Sequence, residues 1–301
     1  MQRSLFAFTS CALTVLFSPP ASAQLTAQPD WSSVTAAMGR AGTLQPDGVM
    51  KFSFPRSDLN VTLDGVRLKP SFALGTWIAF KRLNERDAMV MGDLVLTEKE
   101  VAPVMSRLLE SGWVMETALH NHLVGESPRV MYMHIHADGD ARLIATSLHA
   151  ALAASGTPIT AASNPPAPVS IDLDTARIDR ILGLTGKANA GVYQVSVPRP
   201  ERIQMGPAEI PRSMGVSTAI NFQPTGNGTA AITGDFVLTA GEVPKVIAAL
   251  RRNTITITAL HNHMLVETPR LFFMHFWAKD DAVKLATGLR AALDAMDRGR
   301  R

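Results

Sequence analysis

The feature that most constrains the fold is an internal duplication. Residues 117–136 read TALHNHLVGESPRVMYMHIH and residues 258–277 read TALHNHMLVETPRLFFMHFW, so eleven of the twenty positions are identical. The match extends backward, where GDLVLT at 92–97 corresponds to GDFVLT at 234–239. Similarity over this distance predicts that the chain folds as two copies of one supersecondary unit.

The duplication divides the 301-residue chain into segments. We predict a signal peptide at 1–23, a first repeat unit at 28–155, a linker at 156–170 and a second repeat unit at 171–297. The linker prediction rests on the sequence AASGTPITAASNPPAPVS at 153–170, which is rich in Ala, Ser and Pro. Each repeat unit is long enough to bury a hydrophobic core of its own.

The N-terminus has the pattern of a secretory signal peptide. Arg3 precedes an apolar stretch at 5–17, and Ala-Ser-Ala at 21–23 forms a small-residue cleavage site. We predict cleavage after Ala23 and a soluble periplasmic or secreted product, since no other stretch is long and apolar enough to span a membrane. Lipid anchoring at Cys11 is the less favoured alternative, because the preceding FTS lacks the usual leucine. Cleavage removes the only cysteine, so the mature chain has no disulfide.

The two copies indicate the same order of secondary structure. Thr97 with Glu100, and Thr239 with Glu242, fit a capping box at the start of a helix. The other predicted elements of the two copies are a short helix (31–40; 175–183), four strands (49–54, 59–68, 72–83, 88–96; 192–197, 201–210, 214–223, 229–238), a histidine-bearing hairpin and a closing helix (140–154; 281–295). The absence of regular βαβ alternation predicts an α+β fold, with a mostly antiparallel sheet and two or three helices in each copy.

Seven of the eight histidines lie in the two duplicated segments. Because side chains alternate along a strand, His261 and His263 are predicted to share one face, as an extension of the apolar face begun by Ile257. On the returning strand, Phe273 and His275 share a face, and the strand is apolar on both sides. A strand of that kind is covered on both faces and is predicted to lie in the interior of the sheet.

Imidazoles gathered on one face indicate a metal site, because neutral imidazole is a common ligand of zinc and copper. Each repeat is predicted to contribute one such set, comprising His120, His122 and His134 in the first copy and His261, His263 and His275 in the second. Glu126 and Glu267, in the hairpin turns, are candidates for a fourth ligand or a general base. Because Met264 and Met274 lie beside the second set, copper is an alternative to zinc as the bound ion, although methionine is also an ordinary core residue.

A structural role is the alternative for each of these residues. A half-buried histidine on a strand is often satisfied by hydrogen bonds, and the Glu-x-Pro-Arg turns can hold a local ion pair. His136 corresponds to Trp277 in the second copy, so its role is not predicted to be shared. His149 corresponds to Arg290 and is interpreted as a solvated helix position.

The remaining acidic repeats also have simple interpretations. Asp93 and Asp235 follow glycine in the GD pairs, where they can begin or bend a strand and hold an arginine. Glu100 and Glu242 are explained by helix capping.

Net charge argues against nucleic acid as a partner. The formal charge is +3, and lysine and arginine are scattered rather than gathered on one segment. The partners predicted instead are a metal ion or a small ligand of the cell envelope, and the two repeats are expected to pack on each other.

The segments GDFVLTAGEV, TALHNHMLVETPRLFFMHFW and KLATGLRAALD resemble the bacterial family of unknown function named after the mycobacterial lipoproteins LppY and LpqO. The resemblance covers most of the mature chain in both copies and implies an exported bacterial protein. It implies no established activity. Because Cys11 lacks a convincing lipobox, the lipid anchor of the family's namesakes does not carry over.

Three functions are compatible with the sequence. The first is a periplasmic metal-binding protein that uses the two histidine sets. The second is a metal-dependent hydrolase in which Glu126 or Glu267 acts as general base at the same site. The third is a non-catalytic envelope or ligand-binding module whose histidines line an apolar groove.

Overall fold

The computed structural model describes residues 30–160 and 169–297. The predicted signal peptide, its cleavage site and most of the predicted linker lie outside these residues. Within the described part of the chain, no helix has the length and apolar character needed to cross a membrane.

The first repeat is a six-stranded antiparallel sheet with its three longer helices on one face. Its elements, in chain order, are α1 (Ser32–Met38), β1 (Thr43–Leu44), β2 (Met50–Pro55), β3 (Thr62–Leu63), β4 (Val66–Arg67), α2 (Pro70–Ala73), β5 (Gly75–Arg82), β6 (Asp87–Thr97), α3 (Glu98–Ser111), β7 (Met115–His120), β8 (Val130–Asp140) and α4 (Ala141–Leu152). The strand order in the sheet is β1-β2-β5-β6-β8-β7. The predicted strand at 59–68 is instead the short hairpin β3–β4, which leaves the sheet.

The second repeat has the same architecture. Its elements are α5 (Thr175–Leu182), β9 (Lys187–Asn189), β10 (Val192–Pro198), β11 (Ile203–Met205), β12 (Ala208–Ile210), a 3-10 turn (Arg212–Met214), β13 (Ser217–Gly226), β14 (Thr229–Leu238), α6 (Val243–Arg252), β15 (Thr256–His261), β16 (Glu267–Thr268), β17 (Phe272–Asp281) and α7 (Ala282–Asp294). The strand order β15-β17-β14-β13-β10-β9 mirrors that of the first sheet. The predicted α+β fold of two tandem units is thereby confirmed, and β8 and β17 are interior strands as predicted.

Helix start signals explain where the helices begin. Thr97 and Glu100 form the predicted capping box, and Asp140 and Asp281 accept hydrogen bonds from the first backbone amides of α4 and α7. The helices α1, α3 and α4 cover one face of the first sheet and form its core with residues such as Phe52 and Ile135. The second repeat builds an equivalent core.

The other face of each sheet packs against the other repeat. Short hairpins form much of this contact, since Ile203 and Ile210 of β11–β12 pack on Ala79 and Met91 of the first sheet. Reciprocally, β3–β4 packs on the second sheet, and the indole of Trp277 donates a 2.5 Å hydrogen bond to Asp64. The molecule therefore has four layers, with helices outside and two sheets facing each other.

Two buried arginines stabilise the equivalent corner of each repeat. Arg56 forms ion pairs with Asp58 and Glu100, and its guanidinium also donates to the carbonyl of Val95. Its counterpart Arg199 makes the same contacts with Glu201, Glu242 and the carbonyl of Val237. Glu100 thus holds an arginine as well as capping α3. The capping box predicted for Thr239 and Glu242 is absent, because α6 begins at Val243 and its N-cap Glu242 makes no side-chain cap hydrogen bond; Glu242 instead pairs with Arg199 and accepts from the amide of Thr239. The repeated Pro-Arg pairs at 55–56 and 198–199 were the sequence signal for this.

The helix residues His149 and Arg290 also correct an expectation. His149 is partly buried rather than solvated, and its Nδ1 lies 3.2 Å from the carbonyl of Met38 at the end of α1. Arg290 donates in the same way to the carbonyl of Leu182 at the end of α5. Both side chains therefore link the last helix of a repeat to its first helix.

Candidate metal centre

A matching row of side chains crosses the inner face of each sheet. In the first sheet, strand pairing aligns Ser53, Trp77, Asp93, His134 and Ala118, each opposite the next. Cross-strand partners point to the same face of a sheet, so this row faces the other repeat.

The second sheet carries the equivalent row, which consists of Ser196, Ala219, Asp235, His275 and Ala259. The two rows differ at one position, where tryptophan in the first repeat corresponds to alanine in the second. Asp93 and Asp235 lie within strands and face the histidines, so the expectation that they hold an arginine was wrong.

A β-bulge decides which histidines reach the inner face. In the second repeat, the register shifts between Ile257 and Ala259, and Ile257 pairs with Phe276 of the helix-side core. Regular alternation would place Ile257 and His261 on the same face, as the sequence predicted. The extra residue of the bulge puts them on opposite faces. The same shift occurs between Glu116 and Ala118 in the first repeat.

Six histidines, three from each repeat, meet between the two sheets. The rings of His120 and His261 lie 3.5 Å apart between centroids, which joins the two sets directly. His122 stacks on His275 at 3.6 Å, and His134 stacks on His263 at 3.7 Å. These last two contacts are equivalent under exchange of the repeats, so the cluster has approximate twofold symmetry.

This arrangement revises the prediction of one site in each repeat. Five histidines each offer one ring nitrogen, all within 4.8 Å of one another, and they come from both repeats: His120, His122, His134, His261 and His263. His275 completes the cluster through its contact with His122. The six histidines named from the sequence meet in one place, and the fold merges the two predicted sets into one.

The ring nitrogens are available for a ligand. The Nε2 atoms of all six histidines are buried and have no hydrogen-bond partner among the described residues. Burying an unpaired polar atom is costly, so a native site of this kind requires a partner for these nitrogens. Six imidazoles with free nitrogens fit a transition-metal ion.

Burial keeps the imidazoles neutral. It lowers the pKa of His261 to about 4. Burial, together with the repulsion between protonated His120 and protonated His261, lowers the pKa of His120 to about 3. Burial and the other histidines hold the pKa values of the remaining four well below the usual range. Neutral imidazole is the form that binds metal, so no proton must be displaced near neutral pH.

The asparagine between the histidines fixes the end of the hairpin. Asn121 donates to the carbonyl of Val130 and to Glu126, and Asn262 donates to the carbonyl of Leu271. Each asparagine thus ties its His-x-His strand end to the start of the returning strand.

Glu126 and Glu267 are engaged in the same turns. Glu126 accepts from Asn121 and from the amide of Val130, and Glu267 accepts from the amide of Leu271 and pairs with Arg270. Neither carboxylate belongs to the group of converging ligand atoms. The local ion pair expected for this turn occurs in the second repeat.

The two methionines and His136 have packing or hydrogen-bond partners of their own. Met274 is buried in the helix-side core, on the face opposite His275, and Met264 packs in the apolar contact between the sheets. His136 contacts Asp138 through Nε2 at 2.9 Å.

Asp93, Asp235 and Lys51 adjoin the cluster, and sequence reasoning did not identify them as site residues. Oδ1 of Asp93 lies 4.0 Å from Nδ1 of His134. Burial raises the pKa of Asp235 to about 7 and, with the repulsion of Asp235, raises that of Asp93 well above its usual range. Burial lowers the pKa of Lys51 to about 8, against the attraction of the acidic groups. The Gly-Asp pairs that recur in both copies were the sequence feature that could have identified the two aspartates as site residues.

A cavity of about 2060 Å³ between the sheets leads to the cluster. Its inner wall includes His122, His263 and His275, and Asp93 and Asp235 line it as well. A buried group of ligands is thereby connected to a space large enough for a small molecule.

The fold and the site together define a two-repeat α+β protein with a histidine centre shared between facing sheets. The chain belongs to the family described as Domain of Unknown Function (DUF1259), which matches residues 32–154 and 176–295. No curated protein matches the chain.

Among solved structures, a double-ringed trimeric shell protein from the RMM microcompartment is similar over 72% of this chain and 86% of that chain. The identity is 9% and the TM-score is 0.19, values too low to support any argument about this protein.

Proposed function

We propose that this protein binds a transition-metal ion through the six-histidine cluster and that both repeats supply the ligands. The observation that carries the proposal is the meeting of six imidazoles whose Nε2 atoms are buried and have no hydrogen-bond partner within residues 30–160 and 169–297, five of the histidines offering ring nitrogens within 4.8 Å of one another. Zinc and copper are the ions proposed, because an all-imidazole donor set suits both.

The spacing of the nitrogens favours one ion per chain. Zinc–nitrogen bonds are about 2.0–2.1 Å long, so two ligands on opposite sides of one ion are separated by about 4 Å. Five ligand atoms within 4.8 Å of one another need to contract only slightly to meet that limit. Two ions with separate ligand sets would require a more extended group.

Elemental analysis of the protein purified without an affinity tag tests the proposal. The wild-type chain should carry one equivalent of metal, and the variant His122→Ala with His263→Ala should lose nearly all of it. His149→Ala is the control, because His149 lies on α4 and contacts the end of α1 instead of the cluster. Full metal content in the double variant would refute the proposal.

A metal-dependent hydrolase at the same centre is a second candidate, favoured by the cavity that leads to the histidines. The predicted base role of Glu126 and Glu267 remains a proposal. Asp93 and Asp235 are alternative bases, because they line the cavity whereas the two glutamates do not.

Hydrolysis of p-nitrophenyl acetate by the metal-loaded chain would compare these candidates. If an aspartate is the base, Asp235→Asn should abolish activity that Glu267→Gln retains, and the reverse result would assign the role to Glu267. Absence of metal-dependent turnover with this ester and with p-nitrophenyl phosphate would leave metal binding as the function.

We also propose that the protein is exported, on the basis of residues 1–23 and of the resemblance to the LppY/LpqO family. The mass of the exported product tests this proposal. A chain beginning at Gln24 is expected, whereas a lipid attached to Cys11 would contradict it.

A further inference from the structure

The cavity between the sheets is built asymmetrically, although the repeats around it match. Lys51 on β2 corresponds to Gln194 on β10, since their strand partners Ala79 and Asn221 occupy equivalent positions. Trp77 corresponds in the same way to Ala219. The first repeat therefore supplies a cation and a large aromatic ring where the second supplies an amide and a methyl group.

Lys51 is the cation that distinguishes the first repeat from the second at this part of the cavity. Its ammonium group lies 4.3 Å from the centre of the Trp77 ring and donates to the carbonyl of Ser213 at 3.2 Å. No carboxylate among the described residues forms a contact ion pair with it. The charges of Asp47, Asp93 and Asp235 act on it only at longer range.

Two further cations on the wall have similarly weak partners. Arg40 donates to the carbonyl of Pro158, and Lys69 donates to the carbonyl of Gly191. Arg212 also lines the cavity. Other cations of this chain, such as Arg56 and Arg199, are paired with two carboxylates each. The cavity wall thus carries four cations against the aspartates Asp47, Asp93 and Asp235. Three of the cations hydrogen-bond to neutral carbonyls and can accept an external anion.

We propose that the cavity binds a small organic oxyanion, a carboxylate or a phosphate ester, with Lys51 as its principal countercharge. The volume of about 2060 Å³ exceeds that of a typical ligand pocket, and Phe72, Trp77 and Leu123 supply apolar wall for an organic body. The bound molecule would extend toward His122, His263 and His275, which line the inner part of the same cavity.

A small organic oxyanion is thus the ligand class of the centre proposed above. It rests on the proposed function only where the bound molecule would reach a metal ion held by the histidines. Anion binding by Lys51 requires no metal. The two can therefore fail separately: metal content reports on the histidines, and anion affinity of the metal-free chain reports on the cavity.

Calorimetric titration of the full mature chain, with and without zinc, tests the proposal. The probes are citrate, benzoate and phenyl phosphate, with inorganic phosphate to separate headgroup recognition from recognition of the organic body and glycerol as an uncharged reference. At least one organic anion should bind one to one, and its affinity should fall as salt is added.

The decisive variant is Lys51→Gln, which places in β2 the residue that β10 carries at the equivalent position. Affinity for the anion should fall tenfold or more, since a charge-assisted hydrogen bond is lost. Lys99→Gln is the control, because Lys99 is exposed on α3 and does not line the cavity. Metal content should be unchanged in both variants.

Tryptophan fluorescence gives a second measurement. A ligand that draws the ammonium of Lys51 away from the Trp77 ring should change the emission, and Trp77→Phe should remove that change. If no organic anion binds at millimolar concentration, or if binding survives Lys51→Gln, the proposal is overturned. Binding of inorganic phosphate with equal affinity would show a simple anion site without recognition of an organic body.

Discussion

At several positions in this protein, contacts that recur in both repeats determine which type of residue is tolerated. Gly234 precedes Asp235 on β14, and a Cβ atom at that position would lie 1.9 Å from the carbonyl oxygen of Ala219. Gly92 has the equivalent close approach to the carbonyl of Trp77, at 2.8 Å. Glycine is therefore required before each aspartate by the packing of the neighbouring strand. The GD pairs that the sequence displays twice reflect this steric need together with the placement of the acids.

The buried arginine Arg199 gives a prediction at this scale. Arg199→Met should lower the free energy of unfolding by about 3–5 kcal/mol, because it leaves the buried carboxylate of Glu242 without its partner. Chemical denaturation measures the loss. Arg202→Met, which removes an exposed ion pair with Glu209, should cost less than about 1 kcal/mol. Equal losses in the two variants would contradict the structural role assigned to Arg199.

Among the elements, the hairpin of β15 and β17 positions the histidines of the second repeat. The strands β15 and β17 bring Ala259 opposite His275 and His261 opposite Phe273, and the ring of His263 stacks on Phe273 at 3.4 Å. The bulge at 257–259 turns this segment toward the other sheet. Asn262 then ties its end to the carbonyl of Leu271. Strand pairing, the stacking of His263 on Phe273 and the hydrogen bond of Asn262 thus position the histidines of this hairpin before any ligand is present.

The amide of Asn262 provides the corresponding prediction. Asn262→Ala should weaken metal binding by about tenfold, because the histidines on either side lose the contact that orients them. The free energy of unfolding should fall by only about 1 kcal/mol, the usual contribution of one hydrogen bond. Competition with a chromogenic chelator measures the affinity. Asn253→Ala, which removes a bond to the carbonyl of Ala249 at the end of α6, should leave metal affinity unchanged.

Considered as a whole molecule, the two repeats are mutually dependent. The apolar clusters between the sheets contain residues of both repeats, and Gln223 bonds the backbone of Lys69 and Arg67 across the contact. The proposed metal centre also requires both halves, since the five ring nitrogens that lie within 4.8 Å of one another come from three histidines of one repeat and two of the other. Neither repeat alone contains a covered inner face or the whole histidine cluster.

Separation of the repeats follows as a prediction. Residues 30–160 or 169–297 produced alone should self-associate or aggregate, because the inner apolar face is exposed to water. Co-expressed halves should form a one-to-one complex and recover the metal. Size-exclusion chromatography with light scattering, followed by elemental analysis, measures both results. A monomeric single repeat with a full equivalent of metal would contradict the shared centre.

Acid sensitivity is a second prediction for the whole molecule. The folded histidines have lowered pKa values, whereas unfolded histidines take up protons below about pH 6.5. Their contribution to stability is therefore complete above pH 6.5 and falls toward pH 4. Asp93 and Asp235 act in the opposite direction, because their folded pKa values are raised. Six histidines outweigh two aspartates, so acid should destabilise the metal-free chain.

Chemical denaturation of the metal-free chain at several pH values between 4 and 7 measures this dependence. Each proton of difference between the folded and unfolded states contributes about 1.4 kcal/mol per pH unit. The variant His122→Gln with His263→Gln should show a shallower slope, since two of the titrating groups are gone. A stability that rises on acidification from pH 6.5 would show that the histidines are not held neutral.

Features that depend on local patterns, or on comparison of the two halves, could be predicted from the amino-acid sequence. The duplication revealed two copies of an α+β unit, the Thr97 and Glu100 pair marked the start of a helix, and apolar residues on both faces identified β17 as an interior strand. The same repeated segments identified the six histidines as ligand candidates. These properties can be read from sequence because capping and alternation act over a few residues.

The way in which these parts meet depends on long-range packing and could not be predicted from the sequence. The bulge changed the face of Ile257, the hairpins β3–β4 and β11–β12 crossed to the opposite repeat, and the two histidine sets became one cluster. Strand periodicity predicts a face only while the register is regular, and a bulge is selected by the packing of neighbouring strands. Contact between the inner faces joins residues more than a hundred positions apart, as in the pairing of His120 with His261, and no local pattern encodes that distance.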